Sequence, residues 1–409
     1  MNPQERRILF FSSATHFFTH FYVLVFPALV MPMSRDLGLP IATVLNISFW
    51  MYLLYGLLAL GWGWISDRLG HKWAMNTGII LAAAGFVLAG LVRSLPLISA
   101  SFALVGIGCS AYHPSGLALV SQGIRKRGRA MGINGVWGNV GMASAPFVAG
   151  LLSYLIGWRR GVVILGAVGL LVGIAAVLTP FSIERGSEVK KVEKLASGTA
   201  VRLFVIFCVG VLFAGLMYRS FTVILPAFLE SRLGDVSQSF RNLLSRKFAS
   251  VEDLPAFLTL VATFIATGVY VLGIFGQALG GRVADRYSLK WAYFLFFCAA
   301  LPFILAAALL ENALLIPAAG MFVLFTVGMQ PIENSLVAFL TPARWRSMSY
   351  GIKFTITFGA GSFAVKIVGA VQQSYGIGSV IFLVAGFLAL VILCVGVFLG
   401  LSRGQVIRH

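Results

Sequence analysis

The chain has 409 residues, of which 59% are hydrophobic and 11% are charged, and its mean hydropathy is +0.93. A soluble domain carries about a quarter charged residues, so this composition excludes a water-soluble globular domain. The net charge of +18 would suit a nucleic-acid partner, but the basic residues concentrate between apolar segments, which argues against that partner.

Apolar runs of about 20 residues recur along the chain, and a helix of that length crosses the roughly 30 Å hydrocarbon core of a membrane. Runs this continuous predict helices, because a membrane barrel would show short alternating segments. We therefore predict an all-α integral membrane protein with twelve transmembrane helices, here called spans and numbered in chain order. Pro27 and Pro32 are expected to break span 1 late. The predicted spans cover about 8–33, 41–66, 73–92, 97–122, 130–155, 160–182, 200–229, 255–282, 290–310, 313–340, 347–372 and 377–401.

The basic residues are distributed asymmetrically among the connections. Of the 31 Lys and Arg, about 20 fall in the termini and alternate connections, about 8 in the other connections, and 3 inside apolar runs. This bias predicts a multi-pass protein of the cell inner membrane with both termini in the cytoplasm. The four cysteines lie in apolar runs without metal-type pairing, and no nucleotide-binding loop occurs, so we predict no cofactor.

A short motif between spans 2 and 3 returns between spans 8 and 9, 218 positions later. A repeat across half the chain predicts two pseudo-symmetric six-span bundles. We place them at 1–182 and 200–409, joined by a charged cytoplasmic linker at 183–199, with an outer amphipathic segment at about 235–251. The repeated positions are Gly63, Asp67, Arg68 and Lys72 in the first copy and Gly281, Asp285, Arg286 and Lys290 in the second.

The G-x-x-x-D-R-x-G-x-K pattern of the first copy resembles the signature between helices 2 and 3 of the major facilitator superfamily. The resemblance implies alternating access, with spans 1, 4, 7 and 10 lining a central path, and a charge-relay latch that joins the bundles when the protein is open outward. The alternative is a loop that only orients two helices. The residues to which the resemblance carries the gating role are Gly63, Asp67, Arg68 and Lys72, with Arg129 as a partner, and more weakly Asp285, Arg286 and Lys290.

Two further resemblances lie in the first half. Residues 141–150 in span 5 are similar to a motif of superfamily antiporters, which favours export. Span 4 contains a G-x-G-x-S/A-x-x-H-P motif at residues 106–114. This motif, together with the histidine near the start of span 1, resembles the fosmidomycin-resistance branch of the superfamily.

Glu333 is the one acidic residue, of 13 in the chain, that lies well inside an apolar run. An ionisable side chain at mid-membrane costs at least about 2.5–3.5 kcal/mol, so such groups usually face a cavity or a partner. We expect Arg219, with His20 opposite, to bind an anion, and Glu333 or a histidine to carry a proton. The candidate substrate-binding and proton-coupling residues are His16, His20, His113, Arg219, Glu333 and Lys353.

We predict a proton-coupled secondary active transporter, not an enzyme, that moves a small anionic or zwitterionic molecule, with export favoured. Its expected partners are that molecule, protons and membrane lipid, and we expect a monomer. Two alternative functions stay open. A broad-range drug efflux pump would depend on aromatic surfaces more than on Arg219. A metal-ion transporter would use His16, His20 and His113 as ligands, although the same histidines could be a packed, hydrogen-bonded group.

Overall fold

The computed structural model describes residues 1–181, 197–245, 253–341 and 346–403. Within these ranges the chain folds into helices joined by short connections. Eleven helices are long and apolar enough to cross a membrane, and the bent pair Ile41–Leu57 and Ala59–Leu69 makes a twelfth span. The predicted all-α architecture with twelve spans is confirmed.

Spans 1 to 6 form the first half of the molecule, and spans 2 and 4 are each built from consecutive shorter helices. Their bounds are Pro3–Leu37 (span 1), Ile41–Ile47, Phe49–Leu57 and Ala59–Leu69 (span 2), His71–Leu91 (span 3), Leu95–Cys109 and Tyr112–Gly123 (span 4), Arg127–Ile156 (span 5) and Trp158–Leu178 (span 6).

Spans 7 to 12 form the second half, in which spans 10 and 11 are interrupted. A π-helical turn, Thr355–Gly359, and a 3-10 turn, Ala360–Ser362, separate the two helices of span 11. The bounds are Ser197–Arg232 (span 7), Leu254–Arg286 (span 8), Leu289–Leu309 (span 9), Asn312–Gly328 and Gln330–Leu340 (span 10), Arg346–Phe354 and Phe363–Tyr375 (span 11) and Ser379–Leu401 (span 12).

The outer segment and the linker are covered in part. Helix Gly234–Ser245 lies within the predicted amphipathic segment, and Asp235 and Asn312 join it to span 10 through hydrogen bonds of 3.0 and 2.7 Å. The rest of that segment, at 246–251, lies outside the described residues. Most of the predicted linker, at 183–196, lies outside them too, and span 7 begins at Ser197 rather than at 200.

The prediction that prolines break span 1 is wrong, because helix Pro3–Leu37 runs through both Pro27 and Pro32. Each proline removes one backbone donor, and a bundle in a membrane tolerates such a loss where neighbouring helices cover it. Span 1 ends instead at Gly38, whose φ of 63° and N–H bond to the Ser34 carbonyl form a left-handed cap that favours glycine.

The predictions of continuous helices for spans 2, 4, 10 and 11 are also wrong. Span 2 bends by 49° at Leu58, and span 10 is interrupted at Met329. Span 11 departs from α-helical geometry over 355–362. These interruptions occur inside apolar runs, where the lost backbone bonds are acceptable only if protein or a cavity surrounds them.

Equivalent spans pair in the same way in the two halves. Span 2 packs along span 4 and span 3 along span 6, just as span 8 packs along span 10 and span 9 along span 12. The halves meet where span 5 lies on span 8 and span 2 on span 11. This repeated pairing is the pseudo-symmetry that the motif predicted.

Small residues set how closely the halves approach. A Cβ added to Gly56 of span 2 would lie 2.0 Å from the backbone nitrogen of Gly359 in span 11. A Cβ added to Gly150 of span 5 would lie 2.0 Å from Oγ1 of Thr263 in span 8. Larger side chains at either glycine would therefore push the halves apart.

Charged groups join the halves at the predicted outer end. The Arg35 guanidinium, near the end of span 1, forms an ion pair with Glu230 of span 7. It also donates to the Pro255 carbonyl and the Thr259 hydroxyl of span 8, each at 2.9 Å. Among the residues that the structure describes, this is the one ion pair between the halves. These contacts hold the two halves together at that end in this arrangement.

Candidate functional site

A cavity of about 220 Å³, here called the chamber, lies between the two halves. Spans 1, 4 and 5 line it from the first half, and spans 7, 8, 10 and 11 from the second. Arg219 is 1% exposed and does not line the chamber, although its neighbours Met217 and Tyr218 do. The predicted site residues that do line it are His16, His20, His113, Glu333 and Lys353.

A buried ion pair forms the second-half wall of the chamber and joins span 10 to span 11. Nζ of Lys353 lies 2.7 Å from Oε1 of Glu333, and the two side chains are 5% and 4% exposed. The Tyr293 hydroxyl donates to Oε2 of Glu333 at 2.8 Å, and Lys353 donates to Oδ1 of Asn334 at 2.8 Å. Both charges are thus paired and further hydrogen-bonded, as a buried ion pair requires.

Three histidines form the first-half wall. Nδ1 of His16 lies 2.8 Å from the carbonyl oxygen of Asn134, and Nε2 of His16 lies 3.1 Å from Nε2 of His20. Because the carbonyl accepts, we assign the proton of a neutral His16 ring to Nδ1, so that its Nε2 accepts from His20. Nε2 of His113 lies 3.2 Å from the Tyr55 hydroxyl. Every one of these hydrogen-bond partners is a neutral group or another imidazole.

A chain of amides links the halves beside the chamber. Asn139 of span 5 donates to Oε1 of Gln277 in span 8 at 2.6 Å, and Gln277 donates to Oε1 of Gln330 in span 10 at 2.8 Å. All three amides line the chamber. They join the halves without charge and add neutral hydrogen-bonding groups for a bound molecule.

Arg219 of span 7 is a buried cation without a hydrogen-bond acceptor. Its guanidinium carbon lies 3.6 Å from the ring centroid of Tyr52 in span 2, a cation–π contact across the two halves. None of its three side-chain nitrogens has a hydrogen-bond partner among the described residues. A guanidinium carries five N–H donors, so Arg219 retains its full capacity to bind an anion.

Helix interruptions bring one ionisable side chain from span 4 and one from span 10 to the chamber. The first helix of span 4 ends at Cys109, and His113 is the second residue of the next helix. Glu333 lies in the first turn of the helix that begins at Gln330, where the helix dipole favours a negative charge. The interruption, not a continuous helix, therefore positions each group.

The signature-loop residues lie at the predicted cytoplasmic end, away from the chamber. Within the described ranges, no ion pair joins Asp67 or Asp285 to another side chain, so the Asp67–Arg129 latch is not formed in this arrangement. The guanidinium carbon of Arg68 lies 3.8 Å from the centroid of the Trp64 ring. Asp67, Arg68, Arg129, Asp285 and Arg286 are exposed, and Gly63, Lys72 and Lys290 are partly buried.

Lys72 and Lys290 make equivalent contacts in the two halves. Nζ of Lys72 donates to the Thr179 carbonyl, just after span 6, at 2.7 Å. Nζ of Lys290 donates to the Ser402 carbonyl, just after span 12, at 2.7 Å. Each lysine therefore caps the carboxyl end of a neighbouring helix, where a cation is favourable. Sequence analysis missed this role, because the partners lie 107 and 112 residues away.

Three tyrosines around the site were also missed. Tyr52 covers Arg219, Tyr55 contacts His113, and Tyr293 donates to Glu333. Each lies in an apolar run, and the sequence analysis did not single it out. A tyrosine in such a run is nevertheless a usable signal, because its hydroxyl needs a partner when it is buried.

Comparison with known families decides the class of the protein. The sequence profile of the Major Facilitator Superfamily matches residues 9–245, which is more than half of the chain. The protein belongs to the Major Facilitator Superfamily. It is therefore a membrane transporter, and the resemblance of the signature loops to this superfamily is confirmed.

Relatives in the superfamily are similar over most of the chain. The uncharacterized MFS-type transporter YfnC of Bacillus subtilis (strain 168) is 23% identical over 372 residues, which cover 86% of this chain and 83% of the relative. The fosmidomycin resistance protein of Escherichia coli (strain K12) is 24% identical over 337 residues, which cover 80% of this chain and 77% of that protein.

Solved structures share the major facilitator fold. A bacterial homologue of the human lysosomal transporter Spinster, in an inward-facing and occupied conformation, superposes with a TM-score of 0.75 at 15% identity, covering 99% of this chain and 98% of that one. The peptide transporter POT in complex with sulfate gives a TM-score of 0.73 at 16% identity, with 98% and 96% coverage. These likenesses confirm the fold of two six-span bundles.

Proposed function

We propose that this superfamily transporter moves a small anionic or zwitterionic molecule by proton-coupled alternating access, with export as the favoured direction. The observation that carries the proposal is the ion pair of 2.7 Å between Glu333 and Lys353 on the chamber wall. Among the described residues that line the chamber, Glu333 is the one carboxylic acid and Lys353 the one lysine or arginine. In this proposal Glu333 is the proton acceptor, and Lys353 beside it is the anion-binding group.

We propose that a substrate binds by replacing one member of the Glu333–Lys353 ion pair with a group of its own. An anionic group that reaches Lys353 takes the place of Glu333. The released carboxylate, buried and unpaired, then favours its protonated form. If the substrate also carries a cationic group, that group can bind the ionised Glu333 instead.

The charge of the substrate determines whether substrate and proton move in opposite directions or in the same direction. A zwitterion whose cationic group binds Glu333 competes with the proton for the same carboxylate, which is the requirement of antiport. A simple anion on Lys353 favours a protonated Glu333, so anion and proton would move together. Export against an inward proton gradient therefore requires a substrate with a cationic group, and we propose a zwitterion.

We propose Arg219 as a second binding group for the anionic end of the substrate. Tyr52 of the opposite half covers its guanidinium in this arrangement, in which Arg35 and Glu230 join the outer ends. When the outer ends separate, Tyr52 moves away with its half and leaves the unpaired donors open to a carboxylate or phosphonate. His20, which lines the chamber beside His16, is proposed as a further polar contact.

Topology and direction are part of the same proposal. The excess of Lys and Arg in alternate connections supports an inner-membrane protein with both termini in the cytoplasm, and we propose that it acts as a monomer. The exposed Asp67 and Arg129 would form the latch when the cytoplasmic end closes. The motif at 141–150 and the similarity to a fosmidomycin resistance protein support export.

Flux measurements in proteoliposomes test the role of Glu333. Purified protein is screened by thermal unfolding against zwitterionic amino acids, carboxylates and phosphonates, and the stabilising compounds are assayed with an imposed pH gradient. We expect Glu333→Gln to abolish gradient-driven transport while substrate exchange continues at raised concentration. Glu311→Gln, which alters an exposed carboxylate paired with Arg232 at the outer end, is expected to keep both activities.

Two outcomes would contradict the proposal. Gradient-driven transport at the wild-type rate in Glu333→Gln would show that another group carries the proton. A substrate that moves in the same direction as protons would contradict export by antiport.

A further inference from the structure

The histidines of the first-half wall lie close enough together to share one ion. One nitrogen can be chosen from each ring of His16, His20 and His113 so that the three lie within 4.8 Å of one another. The two Nε2 atoms of His16 and His20 face each other at 3.1 Å. Ligand nitrogens about 2.0–2.1 Å from a tetrahedral Zn²⁺ lie roughly 3.3–3.4 Å apart. This pair therefore already has nearly the spacing of two ligands on one ion, and metal binding would require His20 to carry its proton on Nδ1, so that both Nε2 atoms can coordinate.

His16 has the orientation of a metal-bound histidine. A ligating histidine almost always donates its other N–H to a carbonyl or carboxylate, and Nδ1 of His16 lies 2.8 Å from the Asn134 carbonyl oxygen. The ring stacks on Tyr112, with centroids 4.5 Å apart, and the Tyr112 hydroxyl donates to Oδ1 of Asn134 at 2.8 Å. These contacts fix the ring with Nε2 directed toward His20.

His113 supplies the third ring from span 4. Its Nε2 lies 3.2 Å from the Tyr55 hydroxyl, and its ring stacks on Phe354 with centroids 5.2 Å apart. Ring nitrogens at the 4.8 Å limit would have to approach by about 1.4 Å to reach ligand spacing. His113 is half-buried and lines the chamber, so an ion in the chamber reaches it directly.

We propose that His16, His20 and His113 bind a divalent transition metal of the Zn²⁺ class, with the fourth position open to water in the chamber. Three imidazoles without a carboxylate suit this class and do not suit Mg²⁺, which takes oxygen ligands. The charges of Glu333 and Lys353, on the opposite wall, offset each other. The site shares only His20 with the proposed substrate contacts and uses neither Glu333 nor Lys353, so it goes beyond the proposed function and does not depend on it.

Metal titration of purified, tag-free protein tests the site. We expect ZnCl₂ at micromolar concentration to raise the unfolding temperature and MgCl₂ to leave it unchanged. We expect His16→Gln, His20→Gln and His113→Gln each to weaken Zn²⁺ binding on the order of 10- to 100-fold or more. His71→Gln is the matched control, because His71 bonds to Ser66 at the predicted cytoplasmic end. This variant should leave Zn²⁺ binding unchanged.

A second readout avoids any dependence on the folding of variants. Co²⁺ added to the wild-type protein is expected to develop the visible absorption bands of a tetrahedral nitrogen-ligated ion, and Zn²⁺ is expected to abolish them. No Zn²⁺-dependent stabilisation, equal stabilisation by Mg²⁺, or wild-type Zn²⁺ affinity in all three glutamine variants would each overturn the proposal. Those results would leave the histidines as a hydrogen-bonded group and would not bear on the role of Glu333.

Discussion

The two walls of the chamber share a scaffold and differ in chemistry. The first-half wall presents imidazoles held by neutral partners, as the His16–Asn134 and His113–Tyr55 contacts show. The second-half wall presents a buried ion pair between Glu333 and Lys353. One wall is therefore built from groups that are stable without charge, and the other from groups that stabilise each other only while both are charged.

The repeat explains how equivalent positions acquired these different groups. His113 and Glu333 each lie five residues after a glycine, Gly108 or Gly328, and each lies two residues before a serine. Both follow an interruption of the equivalent span, after Cys109 in span 4 and at Met329 in span 10. The interruption that presents a side chain is thus common to the halves, while the side chain presented is a base in one half and an acid in the other.

Removal of one charge from the second-half wall should have the largest effect on stability. We expect Lys353→Met to lower the free energy of unfolding by about 3–5 kcal/mol, because it leaves Glu333 buried without its cation. Denaturant or thermal unfolding in detergent measures the loss. The double variant Lys353→Met/Glu333→Leu should recover most of it, since an apolar pair can replace a buried ion pair. No recovery in the double variant would mean that Lys353 stabilises the fold by packing instead.

Replacement of Arg219 should raise the stability of the fold and lower transport. Its guanidinium is buried without an acceptor, so we expect Arg219→Met to raise the free energy of unfolding by about 1–3 kcal/mol, less the lost contact with Tyr52, about 0.5–2 kcal/mol. Transport of the anionic substrate should fall at the same time. Arg219→Lys, which keeps the charge, is the control for transport. A stable variant with intact transport would remove Arg219 from the substrate site.

A substitution in the first-half wall should have a smaller effect. We expect His113→Gln to change the free energy of unfolding by about 1 kcal/mol, because it exchanges one neutral hydrogen bond with Tyr55 for another. Proton-driven transport should persist, since Glu333 is proposed to carry the proton. Loss of proton-driven flux with preserved substrate exchange would show that His113, and not Glu333 alone, is needed to carry the proton. The first-half wall would then be the wall that couples transport to protons.

Sequence reasoning could predict the spans and the two halves because both have local signatures. About 20 apolar residues mark a span, and the return of Asp67 and Arg68 as Asp285 and Arg286 marks the repeat. It could also single out Glu333, because an acidic residue inside an apolar run requires a partner or a cavity.

The pairing of Glu333 could not be predicted in the same way. Arg219 and Lys353 are both cationic residues of the spans, and the rotation of spans 7, 10 and 11 about their axes decides which of them pairs with Glu333. The bend at Leu58 and the π-helical turn after Lys353 escaped prediction because they arise from packing between the halves. Pro27 misled the prediction in the other direction. A proline normally breaks a helix, but the helix of span 1 continues through it inside this bundle.

The smallest expected effect concerns the outer contact that brings the two walls together. Arg35 is about one-third exposed where it pairs with Glu230, and a pair of this kind contributes about 0.5–1 kcal/mol. We therefore expect Arg35→Gln to shift the population toward an open outer end by roughly two- to fivefold. Spin labels at the exposed outer positions Pro40 and Ser374, one in each half, report the shift as a longer distance component.

Arg159→Gln supplies the matched control for this measurement. Arg159 pairs with Asp36 at the same end, at 3.4 Å, but both residues belong to the first half. Its loss removes a similar charge without removing a contact between the halves, so the distance distribution should stay unchanged. Equal shifts in the two variants would show that the outer end responds to net charge, and the Arg35–Glu230 pair would then have no specific part in holding the walls together.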